Sequence, residues 1–279
     1  MRRREVLALL GAAATPALAR TLKPIGVQLY TVRTILPEKP AETLKALEQI
    51  GYREVEAVYN VLDKIWPDLK QTSMKPVSVH LDTMLFTRDR DKLPAALDNV
   101  KSKGFRYAVC PYIAPQDRGG VDVMRKLADT LNSAGEICRK SGMHLCYHNH
   151  AFEFEPAAEG TLLDVLMKAA DPKLVSLELD IMWSQVAGVD PVAVLKQYGK
   201  RVALMHVKNV APDVPKQYHE KVPRTAFREV DNGSVNVPAV LKAAHQAGVK
   251  HYFVEQDQTP GDPLASLKQS YDYLAKLDY

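Results

Sequence analysis

The chain has 279 residues, 46% hydrophobic and 25% charged, the balance of an ordinary soluble globular protein with ample length for a core. Net charge is +4, but half of that excess comes from Arg2, Arg3, Arg4 and Glu5, and no basic block with interleaved aromatics follows, so nucleic acid is not an expected partner. Cys110, Cys138 and Cys146 are odd in number and lack CxxC spacing, which argues against a disulfide framework or zinc ribbon and for buried thiols.

The amino terminus reads as a targeting segment. Arg2-Arg3-Arg4-Glu5-Val6-Leu7 is a basic region with a twin arginine, an apolar stretch runs over 6–14, and Ala17-Leu18-Ala19 fits a cleavage site. Residues 1–19 are therefore expected to be a twin-arginine export signal, too short to persist as a membrane anchor. The mature protein would begin near Arg20 and work in the periplasm.

From Pro24 on, strand-like and helix-like runs alternate. A strand over 25–30 precedes a helix over 41–50, stopped by Gly51. Strand 54–58 is followed by a helix near 62–71, and strand 77–80 by a helix from about 90 to 103, ended by Gly104. Strand 107–110 leads to the longest helix, 121–141, closed by Gly142. The remaining units pair strand 145–148 with helix 161–170, 175–180 with 191–198, 202–207 with 238–247, and 251–255 with a helix near 264–277. Eight strand-then-helix units without a linker predict a single-domain (β/α)8 TIM barrel over residues 20–279. The stretch 210–235 is long for a connection at the catalytic face and suits a lid or substrate loop.

Four of the later runs end in a group able to bind metal: His148 with His150, Asp180, His206 and Glu255. A parallel barrel brings strand ends to one mouth, so four such groups in register point to a divalent metal site. Strand alternation places Glu178 with Asp180, Lys208 with His206, and Asp257 with Glu255 on the same face, and Cys146 with His148 and His150. A donor set of oxygen and imidazole without thiolate suits one Mn, Mg, Co, Fe or Zn ion and does not choose among them. Such an ion polarises a carbonyl while a carboxylate moves the adjacent proton.

The runs Gly26 to Arg33, Tyr147-His148-Asn149-His150-Ala151-Phe152-Glu153-Phe154, Leu179 to Trp183, His206-Val207-Lys208-Asn209 and Val254-Glu255 together resemble the sugar phosphate isomerase/epimerase family of xylose isomerase-like barrels, from about residue 24 to the end. The resemblance implies one divalent metal held by Glu, Asp, His and Glu from consecutive strand ends. Asp180, His206 and Glu255 match the last three. The first departs: His148 stands there, with Glu153 as the alternative ligand. It also implies a small carbohydrate substrate and enolisation, with Glu255 as base and Lys208 as electrostatic helper. Without a carboxylate at the first position, a symmetric two-base epimerisation is disfavoured. An isomerase, or a lyase or hydratase acting on a 3-keto-glycoside or inosose-like polyol ketone, stays open. Export points to a free rather than a phosphorylated sugar.

Further candidates are Glu56 as a catalytic or supporting carboxylate, and His80, Tyr30, His150 and Trp183 as substrate contacts; for His80 and Trp183 a packed core role is the alternative. The segment 229–234 keeps only Gly233 of the family's glycine-bearing loop, so phosphate binding is not expected there. His144, His219, His245 and His251 are expected to be structural or on the surface. A metal-dependent hydrolase or nuclease and a non-catalytic sugar-binding barrel are the rival classes, and a homo-oligomer is left open.

Overall fold

In the computed structural model, residues 21–279 are described, so the export signal expected over 1–19 lies outside them. Eight parallel strands close on themselves: β1 (Gly26–Gln28), β2 (Glu54–Val58), β3 (Lys75–His80), β4 (Tyr107–Cys110), β5 (His144–His148), β6 (Val175–Asp180), β7 (Val202–Val207) and β8 (His251–Val254). Closure is made by β1, which pairs with β2 through Gly26↔Glu54 and with β8 through Gly26↔Phe253. The eight βα units predicted from the chain order thus form one (β/α)8 barrel.

The outer helices are α1 (Pro40–Ile50), α2 (Tyr59–Leu69), the short α3 (Thr83–Phe86), α4 (Leu93–Ser102), α5 (Val121–Lys140), α6 (Leu162–Ala169), the short α7 (Ile181–Val186), α8 (Pro191–Tyr198), α9 (Val237–Ala247) and α10 (Pro263–Lys276). The expected stop at Gly51 is real: its φ of 127° suits glycine and ends α1 directly before β2. A reciprocal Thr161–Asp164 capping box starts α6.

Three segments differ from the sequence reading. The first strand stops at Gln28, because the Gln28 side chain accepts from Tyr30 N and turns Leu29–Val32 into a 3-10 helix, so Tyr30 sits on a turn at the rim. The helix expected near 90–103 is α4, and the short α3 ahead of it, capped by Asp82 on Met84 N, was not foreseen. Helix α7 was not foreseen; it starts at the end of β6 because Asp180 Oδ1 accepts from Met182 N at 2.9 Å and Trp183 N at 3.0 Å.

An apolar layer of Val77, Val109, Cys146, Leu204 and Phe253 fills the barrel. Cys146, Leu204 and Phe253 each lie two residues before a candidate ligand, so this plug is one layer below the mouth. All three cysteines are free and buried, as expected. Among the described residues no helix is long and apolar enough to cross a membrane.

Candidate metal centre

His148 and Asp180 are the last residues of β5 and β6, His206 is next to last in β7, and Glu255 follows β8. Alternation turns them into the mouth, and the barrel's parallel register sets Asp180 beside His206. Because Asp180 spends Oδ1 on capping α7, its Oδ2 is left to face His206 Nδ1 at 3.9 Å and His148 Nε2 at 3.7 Å.

Each of the two imidazoles is held from behind by a carboxylate. His206 Nε2 lies 2.5 Å from Glu56 Oε1, and His148 Nδ1 lies 3.0 Å from Glu178 Oε2. A ring backed by a carboxylate through one nitrogen presents the other, here His206 Nδ1 and His148 Nε2, and would bind an ion through it once that nitrogen has given up its proton. His206 Nδ1 is also 2.7 Å from Glu255 Oε2 but lies off the hydrogen-bonding direction.

Three buried polar atoms here have no hydrogen-bond partner: Asp180 Oδ2, His206 Nδ1 and Glu178 Oε1. Buried acceptors are normally satisfied; Asp180 Oδ2 has the Lys208 ammonium 2.8 Å away but no aligned hydrogen bond, and an ion between Asp180 and His206 would satisfy both. The set of Asp180, His206 and Glu255, with His148 Nε2 turned toward Asp180, has the nitrogen and oxygen chemistry of a divalent-metal centre. A second group, His80, His148, Glu178 and His206, is already knit by His–carboxylate hydrogen bonds and has less need of an ion.

Glu56 lies away from the cavity. It is completely buried and receives hydrogen bonds from Gln28 Nε2 at 2.8 Å, from the Ser78 hydroxyl and from His206, with His80 Nε2 at 3.0 Å. Burial pushes its carboxyl up, but the His80 and His206 imidazoles outweigh that and hold it well below the usual range. Glu178 is pushed up to about 7 by burial and by the neighbouring Glu56 charge. His80 overcomes its burial through Glu56 and Glu178 and is raised to about 9, whereas burial, with the neighbouring His206, His150 and His80 rings and then Lys208, holds His148 well down.

A cavity of about 560 Å³ opens over the cluster, and Tyr30, His80, His148, His150, Trp183, Lys208 and Glu255 line it. Tyr30 is at the exposed rim, under the Arg33 guanidinium at 4.1 Å from the ring centroid. His150 stands between Tyr112 and Trp183, with ring centroids 5.0 and 5.6 Å away. His150 Nδ1 and Trp183 Nε1 are buried without partners, polar handles on an aromatic wall. Lys208 is buried, with Nζ 2.8 Å from Asp180 Oδ2, 2.5 Å from Glu255 Oε2 and 3.0 Å from Asp257 Oδ2. The 210–235 stretch folds back by pairing Asn209–Val210 with Phe227–Arg228 and brings Glu220, Val222 and Phe227 to the cavity.

The alternative ligand Glu153 is engaged elsewhere. Its carboxyl accepts from Tyr147 Oη at 2.7 Å and His150 N at 2.8 Å, and burial pushes it up to about 8. It clasps the loop after β5 while His148 enters the cluster. Gly233 serves packing: a Cβ there would overlap Asn209, whose side chain accepts from Val210 N and Val235 N and donates to Val230 O. Sequence reasoning put Glu178 and Asp257 on the correct face without a role. It had no signal for Gln28 and Ser78, whose partner Glu56 is on another strand.

A family model described as a xylose isomerase-like TIM barrel matches residues 44–277. An inosose dehydratase from Geobacillus kaustophilus is 32% identical over 161 residues, 54% of this chain and 52% of its own. The chain thus spans about half the length of the curated relatives it matches. A sugar phosphate isomerase/epimerase structure from Parabacteroides distasonis superposes with a TM-score of 0.77 at 21% identity, covering 91% of this chain and 98% of that one. The IolI protein, solved with a zinc atom bound, superposes at 0.70 with 15% identity, over 90% and 97% of the two chains.

Proposed function

Because the chain belongs to the xylose isomerase-like TIM-barrel family, we propose that it is a divalent-metal-dependent enzyme that enolises the carbonyl of a carbohydrate or keto-sugar, as an isomerase or epimerase. The observation that carries the reading is the pair of carboxylate-backed imidazoles, His148 and His206, turned toward Asp180 under an open cavity, with Glu255 beside His206. In this reading His148, Asp180, His206 and Glu255 hold one Mn, Mg, Co, Fe or Zn ion. When bound, the ion would polarise the substrate carbonyl as a Lewis acid.

The chain's own groups supply the rest. Glu255, kept ionised despite burial by Lys208 and His206, is placed to take a proton from the carbon next to the carbonyl. Lys208 stabilises charge developing on the substrate oxygen. His80, His150, Trp183 and Tyr30 supply polar contacts and stacking surface around the sugar. Among the described residues no arginine lines the cavity, which supports a free sugar over a sugar phosphate.

A lyase or hydratase acting on a 3-keto-glycoside or inosose-like polyol ketone is the second reading. It is favoured by His148 at the first ligand position, which leaves Glu255 without a carboxylate counterpart across the substrate, and by the likeness to inosose dehydratases. We further propose that residues 1–19 direct twin-arginine export and that the enzyme works in the periplasm, on the strength of Arg2-Arg3 and Ala17-Leu18-Ala19.

Incubation of metal-replete protein with sugars and 3-keto-sugars in D₂O tests the chemistry. Deuterium entering the carbon next to a carbonyl is expected. Hydrolysis without exchange would sink enolisation, and sugar affinity that survives chelation in a protein free of stoichiometric metal would leave a binding barrel.

A further inference from the structure

The Lys208 ammonium lies among three carboxylates in the middle of the centre, 2% exposed. Two of its partners, Asp180 Oδ2 and Glu255 Oε2, are the oxygens that face His206 Nδ1. The third, Asp257 Oδ2, accepts a hydrogen bond at 3.0 Å from the cavity side, is 20% exposed, and is not part of the ligand cluster. The ammonium is thus hydrogen-bonded to Asp257 and in close ion-pair contact with Asp180 and Glu255, so three carboxylates enclose one cation.

We propose that Lys208 and the metal ion compete for Asp180 and Glu255, and that Asp257 is the berth to which the ammonium withdraws when the ion enters. The proposal rests on the reading of Asp180, His206 and Glu255 as metal ligands. Two cations on the same buried oxygens repel strongly where water does not screen them. Lys208 is tethered and Asp257 is already within reach, so the lowest-cost response is to give up Asp180 and Glu255 while keeping Asp257. Without the ion, the ammonium keeps the carboxylates from repelling one another and holds the mouth assembled. With the ion present, the ammonium turns to the cavity, so that metal loading frees the group that would grip a substrate oxygen.

Manganese titration of wild type, Lys208→Met, Asp257→Asn and the double variant, followed by calorimetry, decides the matter. Lys208→Met is expected to bind Mn²⁺ at least about tenfold more tightly than wild type. Asp257→Asn is expected to weaken binding in wild type by removing the berth, and to do so far less once Lys208 is gone. That second result separates competition from simple loss of a nearby charge. An equal Asp257→Asn effect in both backgrounds, or a folded Lys208→Met that binds no tighter, overturns the proposal. Should Lys208→Met fail to fold without metal, Lys208→Gln takes its place in the cycle, and unchanged or tighter binding by Asp257→Asn alone also overturns it. A wild type that binds none of Mn, Mg, Co or Zn defeats the metal reading itself. A wild type that binds Mn²⁺ with no gain in Lys208→Met defeats only the competition.

Discussion

Glu54 and Glu56 sit two residues apart on the same strand, and each meets a histidine, yet the two pairs do different work. At the amino-terminal end of the barrel Glu54 Oε2 meets His251 Nδ1 at 2.9 Å, on a partly exposed ring that packs edge-on against Tyr107. At the mouth Glu56 meets His206 at 2.5 Å, with both groups completely buried. The lower pair is self-contained. The upper histidine presents its second nitrogen to Asp180 and Glu255, and Asp180 Oδ2 and His206 Nδ1, which make no aligned hydrogen bond, gather there. A histidine–carboxylate pair is therefore not a site by itself. A site needs further buried polar atoms without an aligned hydrogen bond once the pair has formed.

The contrast is broken most sharply by removing those groups. Asp180→Ala and His206→Ala are each expected to lose stoichiometric metal and to lower turnover by at least about a thousandfold. Full metal content in both variants, measured by elemental analysis, would show that the mouth is no more a site than the other end.

A smaller effect is expected from the groups behind the imidazoles. Glu56→Gln and Glu178→Gln should each weaken metal binding by about 10–100-fold, by loosening ring orientation and tautomer. An unchanged dissociation constant in either would reduce that carboxylate to packing.

Glu153→Gln should spare the metal and alter the pH dependence of stability. Glu153 is raised from 4.5 to about 8, so the folded protein retains a proton across that window. Its stabilising contribution is complete below the unfolded value and disappears as pH rises through about 8, amounting to a few kcal/mol at most. Thermal unfolding between pH 5 and 9 should show this loss in wild type and a flatter profile in Glu153→Gln. Parallel profiles would refute it.

The smallest effects belong to the lower pair. Glu54→Gln and His251→Gln should leave metal content and turnover within about twofold and cost less than about 1 kcal/mol in urea unfolding. A large loss of metal in either would erase the distinction between the two ends.

Much of this was legible in the chain. The βα alternation, the helix stop at Gly51 and the strand ends carrying His148, Asp180, His206 and Glu255 follow from local patterns of period two, apolar runs and turn residues. The same parity put Glu178 and Asp257 on the inner face. The first strand was drawn too long and α7 was not foreseen because one side chain, Gln28 or Asp180, ends a strand by capping a turn, which an apolar run does not reveal. Chain order favoured His148 over Glu153 as the first ligand, but the Tyr147 hydroxyl and His150 amide that occupy Glu153 are contacts that no local pattern shows.

By itself, then, the order of residues determined the barrel, the face on which its chemistry gathers and three of the candidate ligands, because strand periodicity and chain order are local properties. Only the tertiary structure decided that Glu56 stands behind His206, that Glu178 stands behind His148, and that Lys208 is enclosed by three carboxylates. Glu56 and His206 are 150 residues apart, and they meet because closing the sheet through β1 and β8 points both into one buried interior.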